Sequence, residues 1–290
     1  MILHQPGIVV IGAGILGSAI TYNLAIRGAS VLLLDGGPKP GSGVTGRAFG
    51  WINVINGVPG DASYALWREA IAEYQLLKAA LPEALALARA GSLLWRATSQ
   101  ETEQLADLHQ RAGEDVELLK SSVVAEWEPH LRRVPECAVF SRNDLALDPA
   151  QLAGTFVTTA VAAGASVRFD ENVNAIETTN GRITGIRVSD DTLKADVVVM
   201  AAGSGIKVLA GGLGIDTGVA TSPALLLRYA CSRPVVSRIL RGPRLEVRQS
   251  SDNTLFVAKS YVDDGAENGP QVIGERTLAV MRDELDLPDE

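Results

Sequence analysis

The chain has 290 residues, of which 47% are apolar, so it can bury a full core in one large domain or two closely associated ones. Its net charge of −8 and pI near 5.0 exclude a broad attraction to nucleic acid or to an anionic membrane, because both need a basic surface. Cys137 and Cys231 have no CxxC spacing, and His4, His109 and His130 form no HxxxH pair. The sequence therefore predicts neither a disulfide framework nor a metal site.

The first elements in the chain are a strand, a helix and a second strand. Gly7 to Ile11 is an uninterrupted β-branched run, typical of a parallel strand buried on both faces. From Ile15 to Arg27, apolar residues recur at spacings of three and four residues, which predicts a helix that ends at Gly28. Ser30 to Asp35 predicts the second strand. No Lys or Arg precedes Arg27, so this stretch is not a signal peptide, and we expect a cytoplasmic protein.

The middle of the chain alternates helix and strand. Residues 36–50 are rich in glycine and predict a loop. Asp61 to Ala88 predicts a helix that Pro82 breaks, Ser92 to Ala97 predicts a strand, and Glu101 to Lys120 predicts a second helix. This part does not repeat the first motif, which indicates an inserted or second domain.

The rest of the chain is richer in strands. Asp148 as N-cap and Pro149 at the first helical position predict a helix through Ala163, which Gly164 ends. Further strands are predicted at Ala165–Phe169, Val173–Glu177, Arg182–Val188, Ala195–Met200, Arg244–Arg248 and Thr254–Val257. From Arg276 to Glu290 the sequence predicts a polar, acidic tail.

A glycine motif stands between the first strand and the first helix. Gly12, Gly14 and Gly17 form GxGxxG, and this context is the one that a dinucleotide-binding fingerprint requires. The first glycine permits a tight turn, the second lets a pyrophosphate approach the backbone, and the third lets the helix lie close to the strand. The free amides and positive dipole of the helix N-terminus would face the phosphates. The candidate cofactor-binding residues of this turn are Gly12, Ala13, Gly14, Ile15, Leu16 and Gly17.

Asp35 ends the second strand, 18 residues beyond Gly17. A carboxylate there can accept hydrogen bonds from ribose hydroxyls, and it repels a 2′-phosphate. Asp35 is therefore a further cofactor-binding candidate, or else a loop cap. The fingerprint alone does not choose between FAD and NAD.

The segment Gly43–Ile52, GVTGRAFGWI, resembles the loop after the second strand in the D-amino-acid oxidase-like family of FAD-dependent oxidoreductases, which includes glycine and sarcosine oxidases. The small hydroxyl residue of that family falls on Thr45, and its glycine–aromatic step falls on Gly50 and Trp51. Residues 147–149 with the helix after them resemble the approach to the family's return strand, and residues 195–203 resemble its later glycine signature. The resemblance runs in order over roughly residues 7 to 280.

This resemblance implies an α/β fold, α+β overall. A Rossmann-like FAD-binding domain, residues 1–60 with 145–222, would be interleaved with a mixed-sheet substrate domain, residues 61–144 with 223–290. It also implies that the backbone of Val173 faces the adenine. The cofactor-binding candidates that it adds are Thr45, Gly46, Gly50, Val173, Ala202 and Gly203.

The implied reaction removes a hydride from the carbon next to the amine of an amino acid or N-alkyl amino acid and gives an imine, which water hydrolyses. FAD carries this chemistry, so no strong general base is needed. In the strand Leu245–Arg248, Glu246 stands where several amine oxidases have tyrosine. Arg248 can pair with a substrate carboxylate as a bidentate fork, or it can be a solvated or structural arginine. Arg47 and Tyr261 are further catalytic candidates by position, whereas Arg228 and Lys259 are predicted to be surface charges.

Nothing in the chain resembles the family's glycine-rich C-terminal segment, which contacts the flavin ring. We therefore expect a truncated form, a partner chain that completes the flavin site, or a protein that binds FAD weakly or not at all. One alternative function is accordingly a partner-dependent, non-catalytic flavoprotein subunit. A second is an NAD-dependent dehydrogenase on a plain Rossmann fold, although the strands after Val173 that return to Gly203 fit a six-stranded doubly wound sheet poorly.

Overall fold

The computed structural model describes residues 7–85, 89–260 and 269–288. The chain forms two compact units, Met1–Ala48 with Asp148–Ser222 and Phe49–Leu147 with Pro223–Glu290. The sequence-based division placed residues 49–60 and 145–147 in the first unit. The structure groups them with the second, where Trp51–Ile52 pairs antiparallel with Leu145 and Ala146. The mixed α/β fold class that the sequence predicted is confirmed.

The described helices are α1 (Ile15–Ala25), α2 (Ala62–Ala80), α3 (Ser99–Arg111), α4 (Ser121–Trp127), α5 (Pro149–Ala162), α6 (Ile206–Gly211) and α7 (Pro270–Glu284). The described strands are β1 (Ile8–Ile11), β2 (Val31–Leu34), β3 (Trp51–Ile52), β4 (Arg89–Leu94), β5 (Val116–Lys120), β6 (Cys137–Ala146), β7 (Ser166–Arg168), β8 (Val173–Thr179), β9 (Arg182–Val188), β10 (Asp191–Lys194), β11 (Val197–Met200), β12 (Ala224–Tyr229), β13 (Ile239–Arg241), β14 (Glu246–Gln249) and β15 (Leu255–Ser260).

A four-stranded parallel sheet, in the order β11-β1-β2-β7, forms the centre of the first unit. Every residue of β2 is buried, as the uninterrupted apolar runs predict for a sheet covered on both faces. Val10 and Leu33 pack with α1 and α5 on one face, and Val9 and Leu32 pack with the antiparallel sheet β10-β9-β8 on the other. The helix predicted after Asp148 is confirmed, with the Asp148 carboxylate accepting from the Ala150 and Gln151 amides.

The second unit is built on one large sheet, in the order β12-β15-β14-β13-β4-β6-β3, with β5 also paired to β6. One face packs against α4 and α7 through Leu93, Val247, Val257 and Met281. On the other face, α3 packs through Leu105 onto the β4, β5 and β6 part of the sheet.

Two predictions in the second unit are wrong. The helix predicted over Glu101–Lys120 ends at Arg111, because Gly113 has a φ of 82° that a helix does not continue through. Val116–Lys120 is instead a strand, and all five of its residues pair with β6. The acidic tail predicted from Arg276 is largely the helix α7. Its apolar residue Met281 is fully buried, and its acidic Asp283 pairs with Arg133 and Arg244.

Candidate cofactor and substrate sites

The turn between β1 and α1 needs two of its glycines for close packing. Gly12 has a φ of +105°, and a Cβ added there would lie 2.4 Å from the carbonyl oxygen of Ala201. A Cβ on Gly17 would lie 1.8 Å from the carbonyl oxygen of Gly12, so only glycine lets the helix start against the turn. The small residues that follow β11 predict a close approach there, but Ala201 was not among the predicted cofactor-binding residues, because only the fold brings it to the motif.

The N-terminus of α1 has the features of an anion site. Gly14 is its N-cap and provides no side-chain cap, and the first turn carries no acidic residue. The amides of Leu16 and Gly17, at the second and third helical positions, have no intrahelical acceptor, whereas the amide of Ile15 donates to Thr45 Oγ1 at 3.0 Å. The positive end of the helix dipole adds to their attraction for a phosphate. Leu16 (69% exposed) and Val44 (73% exposed) present apolar surface.

The position of this turn in the sheet supports the same assignment. Strand β1 pairs with β2 on one side and with β11 on the other, so the strand order reverses at β1. In open parallel sheets, ligands bind beyond the carboxyl ends of the strands at such a switch point. The turn Gly12–Gly14 lies at that end of β1.

Asp35 lies beside the turn. Its Oδ2 accepts from the Ala13 amide at 2.5 Å, and its Oδ1 accepts from the Gly37 amide at 2.6 Å. Each carboxylate oxygen has two lone pairs, so each can accept one further donor such as a ribose hydroxyl. A glycine cradle, free helix amides and a carboxylate with spare acceptor capacity together fit the ADP half of a dinucleotide.

The glycine-rich loop after β2 is tied to the same turn. The amide of Gly41 donates to the carbonyl of Ala13 at 2.9 Å, and the amide of Gly46 donates to the carbonyl of Gly41 at 2.9 Å. Gly41 has a φ of +72°, a left-handed backbone conformation that favours glycine. Gly41 was not among the residues predicted from the sequence, although its place in a glycine-rich loop could have indicated it. Arg47 ends the 3-10 turn Val44–Arg47 of this loop and is exposed.

The structure distributes the remaining predicted residues over both units. Val173 is the first residue of β8, pairs with Val188 and packs against the core. Ala202 lies with its Cα 3.0 Å from the Cβ position of Gly12, and Gly203 begins the following 3-10 turn. In the second unit, the carbonyl of Gly50 accepts from the amide of Leu147 at 2.9 Å. Tyr261 lies outside the described residues.

Arg248 belongs to a cluster of charged and aromatic side chains on one side of the sheet of the second unit. We call the side of the sheet that carries Arg241, Glu246, Arg248 and Phe256 the Arg248 face; these residues share it because Arg241 pairs with Glu246 and Arg248 pairs with Phe256. Arg248 is 5% exposed, its guanidinium lies 4.3 Å from the centroid of the Phe256 ring, and its Nε donates to the carbonyl of Phe49. Arg248 is therefore buried and fixed by these contacts, and it is not a solvated arginine.

The neighbouring charges on this face are also constrained. Glu246 Oε2 lies 3.4 Å from Arg241 Nε, and burial is the main cause that raises the pKa of Glu246 above its usual range. Arg241 also donates to Asn56 Oδ1 and lies over the ring of Trp51. Arg228 is exposed, as predicted, whereas Lys259 is half-buried.

A buried carboxylate in the same unit was not predicted. Asp144 is 0% exposed and accepts from Ser92 Oγ at 2.6 Å, Ser141 Oγ at 2.8 Å and Trp51 Nε1 at 2.9 Å. Burial raises its pKa to about 6, although these hydrogen bonds act in the opposite direction. A single aspartate within a strand carries no sequence signal for such a cluster.

Two classes of feature are absent from the part of the chain that the structure describes. No helix in residues 7–85, 89–260 and 269–288 has both the length and the apolar character needed to span a bilayer. Within the same ranges, no group of three or more His, Cys, Asp or Glu side chains is arranged to hold a metal ion.

Two solved structures share the fold. Glycine oxidase from Bacillus cereus superposes with a TM-score of 0.80 at 20% identity, over 98% of this chain and 81% of that protein. L-Amino acid deaminase from Proteus myxofaciens superposes with a TM-score of 0.74 at 21% identity, over 88% of this chain and 58% of that protein.

A curated relative, subunit A1 of the anaerobic glycerol-3-phosphate dehydrogenase of Haloferax volcanii, is 24% identical over 239 residues, which are 77% of this chain and 40% of that protein. The chain thus spans well under two thirds of the length of this relative and of the deaminase. Residues 7–285 match the family model described as DAO, FAD dependent oxidoreductase. The chain therefore belongs to the DAO family of FAD-dependent oxidoreductases.

Proposed function

We propose that this protein uses FAD to remove a hydride from the carbon next to the amine of an amino acid or N-alkyl amino acid, giving an imine. The observation that carries the proposal is the glycine cradle at the N-terminus of α1 with Asp35 beside it. The family match supports FAD as the dinucleotide. The names of the glycine oxidase and the L-amino acid deaminase that share the fold support an amino acid substrate.

In this proposal the first unit holds the cofactor. The free amides of Leu16 and Gly17 receive the pyrophosphate, and Asp35 accepts from the ribose hydroxyls. The other proposed contacts in this unit are the backbone of Val173 at the adenine and residues Thr45, Gly46, Ala202 and Gly203. When bound, FAD accepts the hydride, so the protein has to supply binding and orientation.

Arg248 is the proposed partner of the substrate carboxylate. Its ring contact with Phe256 and its bond to the Phe49 carbonyl fix the plane of the guanidinium. A planar fork in a fixed orientation matches a carboxylate better than the point charge of a lysine does. Arg47 and Tyr261 are alternative candidates for this contact.

The proposal is tested with the purified chain after incubation with FAD and removal of the excess. Flavin absorbance that stays with the protein, and bleaches anaerobically with glycine, N-methylglycine or an L-amino acid, is the expected result. Arg248→Lys keeps the charge but loses the fork, and we expect it to raise KM by about tenfold or more with kcat little changed. A wild-type chain that holds flavin but is bleached by no amine would contradict the substrate assignment.

A second candidate function has one observation in its favour. The curated relative is named as a subunit of a glycerol-3-phosphate dehydrogenase, and this chain spans 40% of it. This chain would then oxidise a carbon bearing a hydroxyl group and would act together with a partner chain. Bleaching by glycerol 3-phosphate but not by amines, in the same experiment, would favour it. A cytoplasmic location is proposed for either function.

A further inference from the structure

The carboxylate of Asp144 is costly for the fold. It is fully buried, and no Lys or Arg in the described ranges forms an ion pair with it. The groups that donate to it are the hydroxyls of Ser92 and Ser141 and the indole N–H of Trp51. A neutral side chain would bind the hydroxyls without the desolvation penalty of a charge. A buried residue that destabilises the fold in this way is expected at functional sites.

Trp51 connects Asp144 with the Arg248 face. The Nε1–H of Trp51 is held at 2.9 Å by Asp144 Oδ2, and its backbone pairs with Ala146 in the adjacent strand. Hydrogen bonds to a charged acceptor are roughly twice as strong as neutral ones. The orientation of the indole is therefore set by the carboxylate and not by packing alone.

Phe49 continues the connection from Trp51 to Arg248. The Phe49 and Trp51 rings meet edge to face with their centroids 6.5 Å apart, a favoured aromatic geometry. The Phe49 ring centroid lies 5.5 Å from the Arg248 guanidinium, and the Phe49 carbonyl accepts from Arg248 Nε. Between the two aromatic residues, Gly50 is tied to Leu147 by a backbone hydrogen bond. A rotation of the indole therefore shifts Phe49, and with it the two contacts that Phe49 makes with Arg248.

We propose that Asp144 is a positioning residue, which acts through Trp51 and Phe49 to fix the guanidinium of Arg248 for the substrate carboxylate. The last step rests on the proposed function. The steps from Asp144 to Arg248 rest on the contacts alone.

The first experiment needs neither substrate nor FAD. The 15N-labelled chain is measured by NMR at the Trp51 indole N–H and the Arg248 Nε–H, in the wild type and in Asp144→Asn. Glu128→Gln is the matched control, because Glu128 is also a buried carboxylate (1% exposed) that accepts from a serine, Ser237, but contacts neither aromatic ring. We expect Asp144→Asn to move both resonances and Glu128→Gln to move neither. An unmoved Arg248 resonance in Asp144→Asn would overturn the proposal.

The second experiment uses N-methylglycine as the probe of the carboxylate site. We expect Asp144→Asn to weaken its binding by about tenfold and, in the FAD-loaded enzyme, to raise KM by the same factor with kcat unchanged, because a carboxylate contact serves substrate and transition state alike. Trp51→Phe keeps the ring but loses the N–H, so it should reproduce this effect, and the double variant should be no worse than either. Equal losses in Asp144→Asn and Glu128→Gln would show a merely structural role. If the NMR effect is found but N-methylglycine does not bind, the proposed substrate fails while the link from Asp144 to Arg248 stands.

Discussion

Asp144 should make the free energy of unfolding fall as the pH rises. Burial raises its pKa from 3.8 to about 6, so between these values the folded chain binds this proton more strongly than the unfolded chain does. Stability therefore decreases with rising pH through this window, the reverse of the behaviour of an ion-paired carboxylate. The shift corresponds to about 3 kcal/mol above pH 7, and roughly half of this penalty is present at pH 5.

The Asp144→Asn variant isolates this contribution. Urea unfolding of variant and wild type at pH 5 and pH 8 gives two differences in unfolding free energy, and the contributions of all other groups cancel between them. We expect the unfolding free energy of the variant, relative to that of the wild type, to rise by roughly 1.5 kcal/mol between pH 5 and pH 8. The altered hydrogen bonds add only an offset that is the same at both pH values. Asp252→Asn is the control, since hydrogen bonds lower the pKa of exposed Asp252 below its usual range and it does not titrate in this window. A difference that is the same at both pH values would refute a buried, charged Asp144.

Three further predictions concern the glycines and the ion pairs. Gly17→Ala should abolish flavin retention and cost on the order of 1–3 kcal/mol in urea unfolding, because the added Cβ meets the Gly12 carbonyl. The control Gly154→Ala, whose Cβ meets no atom within 4 Å, should be neutral or stabilising. Equal effects of the two substitutions would contradict the close packing of the glycine turn. Gly50→Ala should cost roughly 1–2 kcal/mol in urea unfolding, since Gly50 has a φ of +75°, and an unchanged midpoint would contradict that conformation. Asp286→Asn should lower the melting temperature at low salt, because it removes the ion pairs with Arg132 and Arg233. The difference in melting temperature from the wild type should shrink in 1 M NaCl, where exposed ion pairs are screened. A difference independent of salt would argue against ion pairing.

The parts of the fold that follow from local sequence were predictable. The Gly12–Gly17 motif, Asp35 and the helix behind Asp148 depend on residues close together in the chain, and the structure places them as the sequence indicates. Val116–Lys120 was misassigned because its charged residues continue the composition of the preceding helix, while its pairing with β6 is a tertiary contact. The helix α7 was missed because its acidic residues suggested a solvated tail, whereas Asp283 pairs with Arg133, 150 residues away, and with Arg244, 39 residues away.

The candidate substrate site was less predictable than the cofactor site. Arg248 was selected by position, but nothing in the sequence shows that Phe49 and Phe256 enclose it, since Phe49 lies 199 residues earlier. Asp144 and Trp51 are 93 residues apart, and neither belongs to a spaced motif with the other. Such contacts arise only when the sheet of the second unit is assembled.

The affinity of the chain for FAD, measured by quenching of flavin fluorescence in the wild type and in Asp35→Asn, tests the central claim most directly. We expect the wild type to bind FAD and Asp35→Asn to bind it about tenfold more weakly, the effect of losing one charge-assisted hydrogen bond. Asp216→Asn is the matched control in the same unit, because Asp216 also accepts from a glycine amide two residues ahead, and it should bind like the wild type. FAD binding that is equally strong in all three proteins, or absent from the wild type, would contradict a cofactor site at the Gly12–Gly17 turn.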